Sequence, residues 1–483
     1  MVFSRDSLNG YSQYFDASHI DLLQVLGQQS KLGGLKMIKH FKWVLLACFA
    51  APSAFASVQA TDIFCEKYPQ ATACEDKPTS CATCHAGPPS LNDFGKDIQE
   101  MLPGTLADGL VAALGTLEES DSDGDGAINL DEIMNGGNPG NRGILPAADV
   151  EIEYDMEMAF KRMKSVFCGQ SVTYDEMQKL QSNGKAFLHS TLTGCLEGAY
   201  WKEEALHRMA DNKIQPLATI GYGGNVVIGD FRWDYWLYSY IMSGDRDARE
   251  LLSATYFVDG RTGEKIEGNV AREEGATIGE RIVIAGGQPL NANRRAGMMT
   301  TQWFISNFTM FAELPRNTAS QVYRAYLGLD IAKGEGLMPV PGEPRDVDNK
   351  NIAQPACAVC HSTLDPLAYA FSTYNGIDPI NAFLFNSIGT YDGGRQPWEA
   401  EGAIFGQPAN DLLEWAAIAR NSDAFKKNIA KDIFHFALSR DPFPNESAEF
   451  KALWEGLPED GYSVNKLIHK FVDTNAFGGK VIK

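Results

Sequence analysis

The chain is short of positive charge, of histidine and of long apolar runs. It carries 42 Lys and Arg against 62 Asp and Glu, a net charge of −20 at pH 7. That leaves no basic surplus with which to hold nucleic acid or an anionic membrane surface, and a protein partner drawn by charge would be basic or neutral. After residue 60 no stretch approaches the ~20 consecutive apolar residues of a membrane span. The glycine-rich stretches Gly221-Tyr222-Gly223-Gly224 and Ala285-Gly286-Gly287 lack the strand-to-helix setting of a phosphate loop, which sets nucleotide binding aside. Methionine ends at Met338 and histidine occurs eight times in 483 residues, so every side chain able to ligate a metal through sulfur or imidazole is quickly enumerated.

What is present is organised around two short repeats. Cys81-Ala82-Thr83-Cys84-His85 and Cys357-Ala358-Val359-Cys360-His361 both read Cys-x-x-Cys-His. This is the pattern of covalent c-type haem attachment. On a helix, positions i, i+3 and i+4 share one face, so two thiols can bond the haem vinyls while the histidine reaches the iron. A lone C-x-x-C also serves as a redox dithiol or half of a zinc site, but the immediate histidine and the repetition argue against both. The expected cofactors are therefore two haem c groups, on Cys81, Cys84, His85 and on Cys357, Cys360, His361.

The remaining cysteines agree with an oxidising compartment. Of nine, Cys48 lies near the N-terminus and four belong to the motifs. The others fall into two local pairs, Cys65 with Cys74 and Cys168 with Cys195, each expected to form a disulfide after export. Export is also expected from the N-terminus. Met37-Ile38-Lys39-His40-Phe41-Lys42 is a basic n-region, Trp43 to Ala51 an apolar h-region, and Ala54-Phe55-Ala56 an A-x-A cleavage site, with Val58-Gln59-Ala60 as an alternative. The expectation is a signal peptide over 37–60 that starts at Met37, preceded by a misassigned upstream extension over 1–36. Gly33-Gly34 would be encoded by the purine-rich codons of a ribosome-binding site. Leu45-Leu46-Ala47-Cys48 loosely follows a lipobox, which leaves a lipoprotein or cell-surface form as the alternative to a periplasmic one.

Residues 61–145 read as a compact first cytochrome c-like domain. Its helical run Leu106 to Leu117 leads into Asp121-Ser122-Asp123-Gly124-Asp125-Gly126-Ala127-Ile128-Asn129-Leu130-Asp131-Glu132, which meets every fixed position of the EF-hand loop. Asp121, Asp123 and Asp125 would donate carboxylates to one Ca2+, Ala127 its carbonyl, and Asn129 a water-mediated contact. Glu132 would close the site with two oxygens, and Gly126 permits the sharp turn. A single loop without a paired hand points to a structural cation rather than a switch.

Residues 146–350 read as a larger helical middle region, with helical patterns at Asp155 to Phe167 and Trp201 to Met209. The aromatic run Phe231 to Tyr240 has the spacing of a buried helix face in preference to a pocket lining or electron path. His189 and His207 read as ordinary satisfied histidines. Tyr256 to Gly287 is a β-favouring excursion. Leu337-Met338-Pro339-Val340-Pro341-Gly342-Glu343-Pro344 reads as a stiff linker into a second cytochrome c-like domain, 351–483, which closes with an amphipathic helix from Asp423 to Leu438. The expected fold is mainly α, with two haem domains flanking the middle region.

The distal iron ligands decide between carrier and catalyst. For the first haem the candidates are Met134 and Met101. For the second they are His435, His469 and Met338, because no methionine follows. His435 reads equally as a ligand, a structural histidine or a distal acid–base group.

The segment Cys357-Ala358-Val359-Cys360-His361-Ser362-Thr363-Leu364-Asp365-Pro366-Leu367-Ala368-Tyr369-Ala370-Phe371 resembles the planctomycete-type cytochrome modules of large bacterial c-type cytochromes. The resemblance extends to Arg294-Arg295-Ala296-Gly297-Met298-Met299-Thr300 and to Phe436-Ala437-Leu438-Ser439-Arg440, and it covers roughly the last 200 residues, the size of a domain or two. It departs at Ser439, where those modules carry glycine, and in a diluted upstream proline run. It implies haem binding and an extracytoplasmic setting and names no reaction. The functional expectation is single-electron transfer with redox partner proteins. The alternative is a dihaem peroxidase- or oxygenase-like enzyme with one relay haem and one open haem, because residues 86–356 exceed what a carrier needs.

Overall fold

The computed structural model describes residues 54–75, 82–87, 90–102, 106–142, 144, 146, 152–214, 226–268, 270–271, 277–278, 281–309, 314–374, 401–443 and 446–481. The architecture is mainly helical. The expected upstream extension and most of the expected leader fall outside these residues, as do Cys81 and the glycine-rich loop at 391–394.

Two cores organise the chain. The first is built from α1 (Ala54–Lys67), α2 (Asp93–Met101), α3 (Leu106–Leu117) and α4 (Asn129–Asn135), with a two-residue-wide ladder of β1 (His85–Gly87) and β2 (Ser90–Leu91) beside them. Phe64 of α1 and Tyr68 just after it meet Leu110, Ala113, Leu114 and Leu117 of α3, and Phe94, Ile98 and Ile133 complete the apolar interior. The α3 positions recur at i, i+3, i+4 and i+7, the spacing that puts them on one helical stripe. A Cys65–Cys74 disulfide pins the end of α1 to the turn after it.

The second core is continuous from Ala159 to Phe477. It takes in α5 (Met156–Cys168), α6 (Tyr174–Glu197) and α7 (Arg232–Ile241), followed by α8 (Arg316–Leu327) and α9 (Pro355–Tyr369), which carries the second motif. Then come α10 (Leu412–Asn421), α11 (Asp423–Leu438), α12 (Ser447–Glu455) and α13 (Val464–Phe471). The boundary expected at residue 350 is therefore not a boundary between cores. Leu367 and Ala368 of α9 pack in the same interior as Phe160, Trp201 and Trp303. The two ends of this core also meet: β10 (Gly479–Val481) pairs antiparallel with β3 (Ile152–Tyr154), Gly479 opposite Tyr154. The Cys168–Cys195 disulfide ties the end of α5 to the end of α6.

The aromatic run forms α7 and is core, as its spacing predicts: Trp233, Tyr235, Leu237, Tyr238 and Ile241 are all buried. The β-favouring segment forms a hairpin of β5 (Phe257–Asp259) and β6 (Glu264–Ile266). Beside it lies a small mixed sheet in which β9 (Arg281–Gly287) runs parallel to β4 (Val226–Gly229) and antiparallel to β7 (Val270–Ala271) and β8 (Thr277–Ile278). The closing helix α11 spans the predicted residues, capped by the Ser422 side chain on Phe425 N. It ends at Ser439 in the left-handed region, φ 56°. That conformation favours glycine, so serine is strained there.

Candidate functional site

The second motif lies on α9 as the i, i+3, i+4 rule requires. Pro355 occupies the first turn, where its missing N–H costs nothing. Cys357 is exposed, Cys360 and His361 half-buried, and both thiols are free. One turn on, Asp365 accepts a hydrogen bond from the ring of His361, Nδ1 to Oδ1 2.9 Å. That assignment puts the proton on Nδ1 and leaves Nε2 as the ring's free donor to a metal.

Asp365 is held from its other side. Arg316, at the start of α8, donates from Nε to Oδ1 at 2.7 Å and from Nη2 to Oδ2 at 2.8 Å. The same guanidinium bonds Asp348 through Nη1 at 2.6 Å and Nη2 at 2.9 Å. Both carboxylates are almost fully buried. Burial alone would raise the Asp365 carboxyl, but the hydrogen bonds from Arg316 and His361 outweigh it and hold it below the usual range. Sequence reasoning quoted Asp365 only as part of a resemblance. The available signal was the i, i+4 spacing of His361 and Asp365 on one helical face.

Pro366 follows inside the helix. It has no N–H to give to the carbonyl four residues back, so Ser362 O is left without its helical donor. Val340 N takes it, at 3.1 Å. The segment read as a linker therefore runs along α9 rather than hanging free, and Tyr369 OH fastens it again by donating to Glu343.

The first motif is arranged differently. Ala82 to Cys84 form a tight turn and His85 opens β1, so this copy does not continue as a helix. The reason is that its carbonyls are bonded to side chains. Asn92 Nδ2 donates to Ala82 O at 3.2 Å and to Thr83 O at 2.9 Å, and Asn138 Nδ2 donates to Ala82 O at 3.1 Å. Asn92 Oδ1 meanwhile caps α2 by accepting from Gly95 N. Gly95 has to be glycine: a Cβ there would lie 2.0 Å from Cys84 O. His85 Nδ1 is buried without a hydrogen-bond partner. Burial lowers the ring's pKa, with the backbone of Ser90 partly opposing.

The donor set on α9 fits haem c: Cys65 with Cys74 and Cys168 with Cys195 pair into disulfides, while Cys357 and Cys360 stay as thiols beside His361. The two motifs also converge in space. β1 and α9 each approach the short 3-10 turn Ile331–Lys333 to within 8 Å between Cα atoms. With a rise of about 2 Å per residue, that turn bounds the nearest approach of β1 and α9 at about 20 Å.

The acidic loop also has the geometry of its pattern. One ligand oxygen from each of Asp121, Asp123 and Asp125 falls within a 4.8 Å cluster. Gly126 adopts φ 101° at the turn. Asp121 folds the loop by accepting from Gly124 N and Gly126 N. Glu132 is fully buried, and neither of its oxygens has a partner. Burial, then Asp123, Asp125 and Asp121, pushes its carboxyl up to about 8. Asp123 Oδ2, Asp125 Oδ2 and both Glu132 oxygens are buried without a partner, which fits a hard divalent cation. The Asn129 oxygen accepts from Ser122 N and its amide donates to Leu117 O and Ser122 Oγ, so the side chain braces the loop.

The distal candidates are dispersed. Met134 on α4 and Met101 at the end of α2 are both partly exposed. His435 is exposed on α11, whose packing partners include α8, α10, α12 and α13. His469 is engaged elsewhere: its Nδ1 lies 2.8 Å from Nδ1 of His189, which in turn reaches Asp473 at 3.2 Å. His207 packs tilted against Tyr235 beside a cleft of 330 Å³ lined by His207, Asp211, Phe231, Arg232, Tyr235 and Trp236, with no motif residue among them. Among the described residues, no helix is long and apolar enough to cross a membrane.

Comparison with protein-family models, with curated proteins and with solved structures returns no match to this chain.

Proposed function

We propose that the protein is an exported dihaem c-type cytochrome that passes single electrons between redox partner proteins. The observation that carries this reading is the pair of Cys-x-x-Cys-His motifs, far apart in sequence, whose bearing elements approach the same 3-10 turn. Cys81, Cys84 and His85 would hold one haem, and Cys357, Cys360 and His361 the other. When bound, such groups supply a one-electron couple. The chain's own contribution is orientation. Asp365 fixes the ring of His361, Arg316 fixes Asp365, and Asn92 and Asn138 hold the turn that presents His85. Asp121, Asp123, Asp125 and Glu132 would bind a Ca2+ that ties the first domain together. The disulfides and the motif chemistry support residence outside the cytoplasm, with the periplasm first.

The alternative is a peroxidase- or oxygenase-like enzyme with one open iron, favoured by the large core between the motifs. The deciding experiment is the ferrous absorption spectrum of the purified protein with and without carbon monoxide, beside its intact mass. The expected result is a mass increment of two haems and two six-coordinate spectra that ignore carbon monoxide. A haem that binds it moves the assignment to the enzyme, and an unmodified mass overturns both.

A further inference from the structure

We propose that Asp365 is a positioning residue that sets the reduction potential of the haem held by Cys357 and Cys360, making it the lower of the two. This rests on the dihaem reading and goes beyond it by ordering the two centres. A histidine ligand whose second nitrogen donates to a carboxylate is a more basic, more anionic donor than one bonded to a neutral group. More donor charge favours ferric over ferrous iron, and second-shell hydrogen bonding and burial are the levers by which a protein moves such potentials.

His361 has that arrangement, with its Nδ1 2.9 Å from a carboxylate that solvent does not reach. The low local dielectric keeps the effect from being screened. The Arg316 guanidinium does not cancel it, because one cation is shared between two buried carboxylates, Asp365 and Asp348, and a net negative charge remains behind the ring. Among the described residues the first motif shows no such carboxylate: His85 Nδ1 is buried without a hydrogen-bond partner. An electron arriving at the C-terminal centre would then pass downhill to the N-terminal one, oxidising one ferrous iron and reducing one ferric iron.

The test is a spectroelectrochemical titration of the full holoprotein and its Asp365→Asn variant, with haem content and melting temperature recorded for each. Wild type should titrate as two one-electron components. In Asp365→Asn the lower one should rise, by at least the tenfold change in ferric preference that corresponds to about 59 mV for one electron, while the upper one stays. Asp348→Asn should move the same component the same way by less, since Arg316 would then bear on Asp365 alone. It decides the question if Asp365→Asn does not assemble. A lower component that stays in place in an assembled variant overturns the inference, as does movement of the upper component instead. Absence of haem on Cys357 and Cys360 in wild type, read by mass, overturns the dihaem reading itself and is thereby distinguished.

Discussion

Removing calcium should unfold one core and spare the other. The four carboxylates of Asp121, Asp123, Asp125 and Glu132 belong to the first core's loop, and none lies in the core that runs from Ala159 to Phe477. Among the described residues the loop's own cation is Arg142, which donates to the carbonyl of Asp123. A ligand at a hundred times its dissociation constant stabilises the folded form by about 2.7 kcal/mol. For a domain of this size each kcal/mol shifts the midpoint by about 4–8 °C, so chelation should lower the first transition by roughly 10–20 °C. Differential scanning calorimetry with calcium and with excess chelator reads both transitions in one experiment. Glu132→Gln should abolish the calcium dependence. It should also melt no lower than wild type under chelator, because a buried neutral amide costs less than a buried unpaired carboxylate. A first transition indifferent to calcium would refute the argument, and so would equal movement of both transitions.

Three further outcomes follow from single side chains. Asn92→Ala removes the α2 cap and strips the donor from Thr83 O, so the first transition should lose about 2–4 kcal/mol while the second holds, measurable by the same calorimetry. Asp234 is fully buried with neither oxygen hydrogen-bonded, and burial raises its pKa well above the carboxylate range, Thr301 only partly offsetting it. A folded pKa above the unfolded one gives stability that is complete below the unfolded value near 4 and is lost as pH rises through the folded value. The melting temperature of Asp234→Asn should therefore gain on wild type as pH is raised; parallel pH profiles would count against it. Ser439→Gly should stabilise the second core by about 0.5–1 kcal/mol by relieving a left-handed residue at the end of α11, and a loss on denaturant unfolding would contradict the backbone argument.

The elements with a strong period were legible from sequence. The stripe of α3, the burial of α7 and the span of α11 all follow from apolar residues at helical spacing, which is a local property. The disulfide pairs were legible because short separations leave few alternatives. The acidic loop was legible because its pattern fixes five positions at once, Asp121, Asp123, Asp125, Gly126 and Glu132, whereas the partners of Asn129, Leu117 O and Ser122, are set by the fold and not by the pattern. The continuity of the second core was not legible. A run of Pro and Gly at 337–344 looks the same whether it spans solvent or lies against a helix, and the deciding contact is a carbonyl freed by a proline farther along the chain.

That contact also explains why the second Cys-x-x-Cys-His motif sits inside the large core instead of in a small domain of its own. Asp365 and Pro366 are neighbours, and each removes a degree of freedom from α9. Pro366 exposes Ser362 O to Val340, fixing the incoming segment against the helix. Asp365 joins His361 to Arg316, the first residue of α8, and through it to Asp348 on that same segment. Two adjacent residues thus tie the motif helix to the chain before it at three places. A metal ligand held in this way keeps its orientation when charge changes at the metal. Small reorganisation of that kind is what fast electron transfer needs, and an exposed helix in a separate domain would not provide it.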